Sequence, residues 1–205
     1  MMIERIVVGK FAVNCFFVMC DETKEAVIID PGAQANVIDR QVKKHEAKVK
    51  YIVLTHGHGD HIGAVEELKA LYNVPVIASE DEDDMLQNPD FNESSRICDH
   101  AISFTADQYV RDEDELTFGN KTMKFIMTPG HTKGGMCIHI DDHLFTGDTL
   151  FNRSVGRTDL YGGSHQTLIS SIAFKLLRLD DETKVYPGHG AMSTIGFERE
   201  HNPFM

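Results

Sequence analysis

The chain is poor in cysteine, in basic side chains and in long apolar runs, and each shortage excludes something. Its four cysteines (Cys15, Cys20, Cys98 and Cys137) form no Cys-x-x-Cys pair and no dense framework, so a disulfide-stapled scaffold is not expected. Cys15 and Cys20 are an odd number of residues apart and on one strand would face opposite sides. Reduced thiols in a cytoplasmic protein are the simplest reading. No stretch approaches the roughly 20 apolar residues of a membrane helix. The opening "MMIERIVVGKFAVN" lacks a basic segment followed by a long apolar core, so it does not read as a signal peptide. Lys and Arg number 20 against 32 Asp and Glu, a formal charge of −12. Such a chain repels a polyanion on average, and neither nucleic acid nor membrane is expected as a partner. Oligomeric state is not legible. Two acidic runs, "EDEDD" at 80–84 and "RDEDE" at 111–115, carry much of the charge and read as solvated surface near a helix start or a turn.

What is present is an ordinary globular balance, 41% apolar and 25% charged over 205 residues, with no linker or composition shift. One domain, 1–205, is expected. "IERIVV", "CFFVMC" and "EAVIID" read as short strands, "DPG" at 30–32 as a turn, and Ala35 to His45 as a helix with Val37, Ile38 and Val42 on one face. "YIVLT" has no polar alternation, as expected of a strand covered on both faces. Ile62, Val65, Leu68, Leu71 and Tyr72 then repeat at helical spacing, before a strand at 74–79. The second half repeats this grammar. There is a hairpin around Gly119-Asn120, another around Asp141-Asp142, a helix from His165 to Leu179 burying Leu168, Ile172, Leu176 and Leu179, and a strand in "KVYPGHG". Two sheets with helices outside are expected.

The chemistry begins at "YIVLTHGHGDHIGA", residues 51–64, with His56, His58, Asp60 and His61 at the mouth of a strand. His56 and His58 project to one side of extended backbone, and Asp60 and His61 re-enter from the turn into a helix. A HxHxDH run arises by chance in roughly one such chain in several hundred, so it is a strong signal. Three further strand ends follow the same plan: His131 in "TPGHTKGG", Asp148 in "LFTGDTL" and His189 in "VYPGHG". Ligands on strand ends converge when the strands lie side by side. Five imidazoles and two carboxylates can hold two divalent ions and leave coordination open for water, which suits a catalytic site. The absence of cysteine among them argues against a structural zinc ribbon. The other six histidines lack such context.

"THGHGDH", "PGHT", "GDTLF" and "PGHG", in this order, resemble the metallo-β-lactamase superfamily. Within it they resemble the glyoxalase II, or hydroxyacylglutathione hydrolase, group. "NCFFVMCDETKEAVIIDPG" is similar to that group's N-terminal hairpins, so the likeness runs from Asn14 to Gly190. It implies an α/β fold, a four-layer αβ/βα sandwich. It places His56, His58 and His131 on a first metal and Asp60, His61 and His189 on a second, with Asp148 bridging. The ions implied are zinc, with iron or manganese as alternatives, since these ligands do not choose among them. Asp30 reads either as an orienter of a ligand histidine or as a plain turn residue.

The activity implied is hydrolysis of a small thioester by metal-bound hydroxide, with Asp60 orienting the nucleophile. Arg157, where the group carries a basic residue for a glutathione carboxylate, and Tyr161 are the substrate-binding candidates. An ion pair between Arg157 and Asp159 is the competing reading. Only "AMSTIGFEREHNPFM" follows the last motif, so the likeness is to a short form lacking the group's helical C-terminal domain. "GRTDL" also resembles the mono-iron persulfide dioxygenases of the superfamily. That activity, hydrolysis of another ester or lactone, and metal binding without catalysis are the alternatives.

Overall fold

The computed structural model describes residues 1–205, and two six-stranded sheets organise it. The first runs in spatial order β1 (Met2–Val8), β2 (Val13–Met19), β3 (Glu25–Ile29), β4 (Lys48–Val53), β5 (Val76–Ser79) and β6 (Gln108–Val110). β1, β2 and β3 pair antiparallel, and β3 through β6 pair parallel. The second sheet contains β7 (Glu115–Phe118), β8 (Lys121–Met127), β9 (Met136–Ile140) and β10 (His143–Gly147). A short hairpin of β11 (Leu150–Phe151) and β12 (Ser154–Val155) leads on to β13 (Lys184–Pro187) and β14 (Ser193–Thr194), giving the sheet order β14-β13-β10-β9-β8-β7. β10 and β13 are parallel; the other pairs are antiparallel.

Period-two alternation explains why the strands read as unbroken apolar runs. On β2, Val13, Cys15, Phe17 and Met19 pack outward with Ile38 and Val42 of helix α1 (Ala35–Lys44). Phe16 and Val18 of β2 point the other way, into a core shared with Phe125, Ile138 and Phe145 of the second sheet. β3 divides its residues likewise, Ala26 and Ile28 outward, Val27 and Ile29 inward. A strand sandwiched on both faces has no solvent side to mark with polar residues. The outer face of the second sheet is closed by α6 (His165–Phe174) through Leu168 and Ile172, with Leu144 and Val185 beneath. The layers are therefore helix, sheet, sheet, helix, the expected αβ/βα sandwich.

Three local expectations are corrected. The single helix through Ile62–Tyr72 is two pieces, α2 (Gly59–Ile62) and α3 (Val65–Tyr72), because Ala64 N–H bonds Pro31 of the preceding turn instead of continuing the ladder. Leu71 is half exposed and outside the core. The helix from His165 ends at Phe174, passing into a tight turn at Leu176–Arg178 that leaves Leu179 only half-buried. Three helices had no sequence expectation: α4 (Asp83–Gln87), α5 (Ser94–Ile97) and α7 (Ile195–His201), the last capped by Thr194 accepting from Phe197 N–H. No helix is long and apolar enough to cross a membrane, and all four cysteines are free thiols.

Candidate metal centre

The topology gathers ligand-bearing loops at the carboxyl ends of four strands, where ligand sites of α/β sheets lie. His56 and His58 leave β4, and Asp60 and His61 occupy the one-turn helix α2. His131 follows β8, Asp148 follows β10, and His189 follows β13. The seven residues come together in two groups. The ligand nitrogens of His56, His58 and His131 lie within 4.8 Å of one another, as do the ligand atoms of Asp60, His61 and His189. His58 Nδ1 is 3.0 Å from His131 Nε2, and His61 Nε2 is 3.4 Å from His189 Nε2. Asp60 Oδ2 is 3.4 Å from His189 Nε2. Asp148 spans both groups, with Oδ1 3.4 Å from His61 Nε2 and Oδ2 3.7 Å from His131 Nε2 and 3.6 Å from His189 Nε2.

The outer ring nitrogens decide what the inner ones offer. His131 Nδ1 is 2.7 Å from the Arg157 carbonyl, and His189 Nδ1 is 3.0 Å from the Phe11 carbonyl. His61 Nδ1 is 3.0 Å from Asp30 Oδ2. A carbonyl or carboxylate only accepts, so these partners assign the proton to Nδ1 of each neutral ring and a lone pair to Nε2. The Thr55 hydroxyl donates to Asp30 Oδ2 at 2.6 Å and so accepts from His56 Nδ1 at 3.1 Å. His56 Nε2 is left buried with no partner, as is Asp148 Oδ1. Four inward lone pairs around two carboxylates, with acceptors tied behind them, fit divalent cations and little else.

The charge balance differs between the two groups. Burial first, then the neighbouring rings, push His56 well below the usual histidine range and His58 down to about 3. At His61 burial also opposes charge, but the carboxylates of Asp148 and Asp60 outweigh it and raise its pKa well above the usual range, so an ion binding at Nε2 would have to displace a proton there. The three-histidine end is thus neutral imidazole, and the other draws positive charge toward its carboxylates.

Asp30, buried at φ 51°, accepts from Thr55 N–H at 2.8 Å as well as from Thr55 Oγ1 and His61, so it braces His56 and His61 together. Two contributors were not expected from the sequence. Buried Asn14 donates to the Pro187 and Gly190 carbonyls at 2.9 and 3.1 Å, tying the first hairpin to the turn that carries His189. Glu82 overturns the reading of 80–84 as solvated surface, because it is 2% exposed and accepts from the N–H groups of Gly57 and Gly134. Glu82 shares a helical face with buried Met85 and Leu86, and that spacing was the missed signal.

The substrate candidates stand farther out. The Arg157 guanidinium is exposed and forms a two-pronged pair with Asp159, both contacts at 2.7 Å; its carbonyl, not its side chain, touches His131. Tyr161 stacks on Phe91 with ring centres 3.8 Å apart and donates to Asp84 at 2.8 Å. A cavity of about 470 Å³ opens beside Asp60, between Lys10–Phe11 and the 97–102 segment. None of the other six histidines joins the two groups.

Comparison with known proteins agrees with this geometry. A sequence profile described as the Metallo-beta-lactamase superfamily matches residues 8–189. The chain is 38% identical over 209 residues to the hydroxyacylglutathione hydrolase GloC of Haemophilus influenzae, covering 100% of this chain and 98% of that protein. It superposes on the crystal structure of BLEG-1, a B3 metallo-β-lactamase, with TM-score 0.93 and 39% identity, over 99% of each chain. It also superposes on TTHA1623 in a di-iron-bound form, with TM-score 0.87 and 30% identity, over 98% of this chain and 100% of the other. The chain belongs to the metallo-β-lactamase superfamily.

Proposed function

We propose that this chain is a metal-dependent hydrolase of small thioesters, with hydroxyacylglutathione the leading substrate. The observation that carries the reading is the convergence of seven candidate ligand side chains, with acceptors behind Nδ1 of His61, His131 and His189 leaving Nε2 of each turned inward. The likeness to GloC over the whole chain supports the substrate class. His56, His58 and His131 would hold one ion, Asp60, His61 and His189 a second, and Asp148 both. Zinc is the leading metal, with iron and manganese as rivals; the di-iron form of TTHA1623 keeps iron in view. Bound divalent ions supply a nucleophile from water at neutral pH and polarise a carbonyl oxygen.

The chain's own groups do the rest. Asp60, partly exposed and beside the cavity, would orient the attacking water by accepting a hydrogen bond from it. The cavity gives the acyl group room on that side. Arg157 lies on the loop behind His131 and can pair with a carboxylate of the thiol portion, provided the ligand displaces Asp159 from the guanidinium. A thiolate leaves without much acid assistance, whereas the amide nitrogen of a β-lactam leaves only with a proton supplied. The similarity to BLEG-1 makes that amide the rival bond.

The test is metal content of the purified protein beside three assays: hydrolysis of S-lactoylglutathione, hydrolysis of a chromogenic cephalosporin, and oxygen uptake with glutathione persulfide. Two ions with dominant thioester turnover support the proposal, and His56→Ala or Asp148→Asn should then lose at least about a thousandfold in kcat while staying folded. One iron with oxygen uptake, or a faster β-lactam reaction, overturns it.

A further inference from the structure

We propose that Glu82 is a positioning residue for the His56–His58–His131 group, a two-pronged carboxyl clip that sets metal affinity at that end of the centre. The inference rests on the metal-binding reading above. Gly57 lies between His56 and His58, and its N–H donates to Glu82 Oε2 at 2.8 Å. Gly134 lies in the loop that begins with His131, and its N–H donates to Glu82 Oε1 at 2.7 Å. One carboxylate therefore holds two ligand loops that come from different sheets, and each oxygen serves one loop.

The local sequence is built around this contact. β5 ends at Ser79, whose hydroxyl accepts from Asp81 N–H and turns the chain, so that Glu82 points inward while Glu80 and Asp81 stay exposed. Both partners are glycines for a spatial reason. A Cβ on Gly134 would sit 2.6 Å from the backbone of residues 81 and 82, and one on Gly57 would sit 3.0 Å from Glu82 Oε2. No lysine, arginine or histidine pairs with Glu82, so its buried carboxyl is answered by these N–H groups and the nearby Thr132 hydroxyl, not by a cation. A buried carboxylate without a cation is costly to keep unless it does something a neutral side chain cannot. Here that is to accept twice, once from each loop. A glutamine of the same shape has one acceptor, and its amide would confront the other N–H.

The experiment is competition of zinc against a chromophoric chelator for metal-free wild type, Glu82→Gln and Glu82→Asp, with urea unfolding of each metal-free protein. The clip predicts that Glu82→Gln weakens one of the two ions by about 10- to 100-fold. The other ion stays within about twofold, and the visible spectrum of the cobalt-loaded protein changes. Glu82→Asp, one methylene short, should fall between. Lower stability with both zinc affinities and the cobalt spectrum unchanged would mark Glu82 as merely structural and overturn the proposal. Wild type that binds no zinc overturns the metal reading along with it, whereas two ions bound equally by wild type and Glu82→Gln overturn only the clip. Should both variants fail to fold, amide exchange in the wild type decides. Zinc should slow Gly57 and Gly134 together, and exchange indifferent to zinc at either refutes the coupling.

Discussion

Asp30→Asn changes one atom and should cost the centre one of its ions. Asp30 uses Oδ1 for Thr55 N–H and Oδ2 for both the Thr55 hydroxyl and His61 Nδ1. Asparagine tolerates φ 51° as aspartate does, so the backbone is not strained by the change. Its amide can be turned in two ways, and each leaves a buried donor facing a donor. With the carbonyl toward His61, Thr55 N–H is unpaired, at about 1–3 kcal/mol. With the NH₂ toward His61, the ring must move its proton to Nε2, the nitrogen that faces Asp148 and His189. The metal-free protein can relax into the second arrangement, whereas an ion on His61 Nε2 requires the first.

Binding must then absorb the difference of about 1–3 kcal/mol, a factor of roughly 5 to 150 in affinity. The loss should fall mainly on the Asp60–His61–His189 end, with a smaller loss at the three-histidine end passed through the Thr55 hydroxyl to His56. Zinc competition resolves the two affinities. The double variant with Glu82→Gln should lose both, nearly additively, because the two braces share no partner. Unchanged affinity for both ions in Asp30→Asn would refute the tautomer argument.

Other perturbations test separate parts of the structure. Burial holds the Glu82 carboxyl up at about 7 against an ordinary 4.5, so the folded chain keeps a proton that the unfolded chain has already released. Its contribution to stability therefore falls as pH rises from about 4.5 to about 7 and is flat above, by about 3 kcal/mol in all. Urea unfolding of metal-free wild type and Glu82→Gln at pH 5 and 8 should show wild type losing that margin; a pH-independent difference refutes it. Phe145→Ala removes a ring 5.2 Å from Phe16 and 5.0 Å from Tyr186 in the core between the sheets, and should cost about 3–5 kcal/mol by denaturant unfolding. Among the cysteines, burial lifts Cys15 well above its usual range and Cys137 to about 12, whereas half-buried Cys98 lines the cavity beside Asp60. A thiol reagent should label Cys98 before Cys15 and Cys137 in the native protein, and modification mapped to Cys15 or Cys137 before unfolding would contradict this packing.

Why the seven candidate ligands could be read from the sequence and the groups that orient them could not follows from where each signal lives. His56, His58, Asp60 and His61 sit within six residues, and His131, Asp148 and His189 each close a strand-and-glycine phrase that one pass along the chain detects. Strand periodicity likewise carried the two sheets, because covered strands must be apolar throughout. The supports use groups that every residue has. The acceptors that orient His131 and His189 are main-chain carbonyls of Arg157 and Phe11, so no side-chain pattern announces them. Arg157 drew notice for its guanidinium, yet it reaches the centre through its carbonyl while the guanidinium pairs with Asp159.

Glu82 was hidden by composition. Among four other acidic residues at 80–84 it looked like surface charge, and only its phase with Met85 and Leu86 set it apart. The same reasoning explains why Leu71 was misplaced. Helical spacing fixes which residues share a stripe, but the Ala64–Pro31 bond broke the helix and reset where that stripe faced. A ligand motif is a local fact about side chains. The proton positions that would let it hold a metal depend on backbone acceptors delivered by other segments, and only the assembled sandwich brings those into contact.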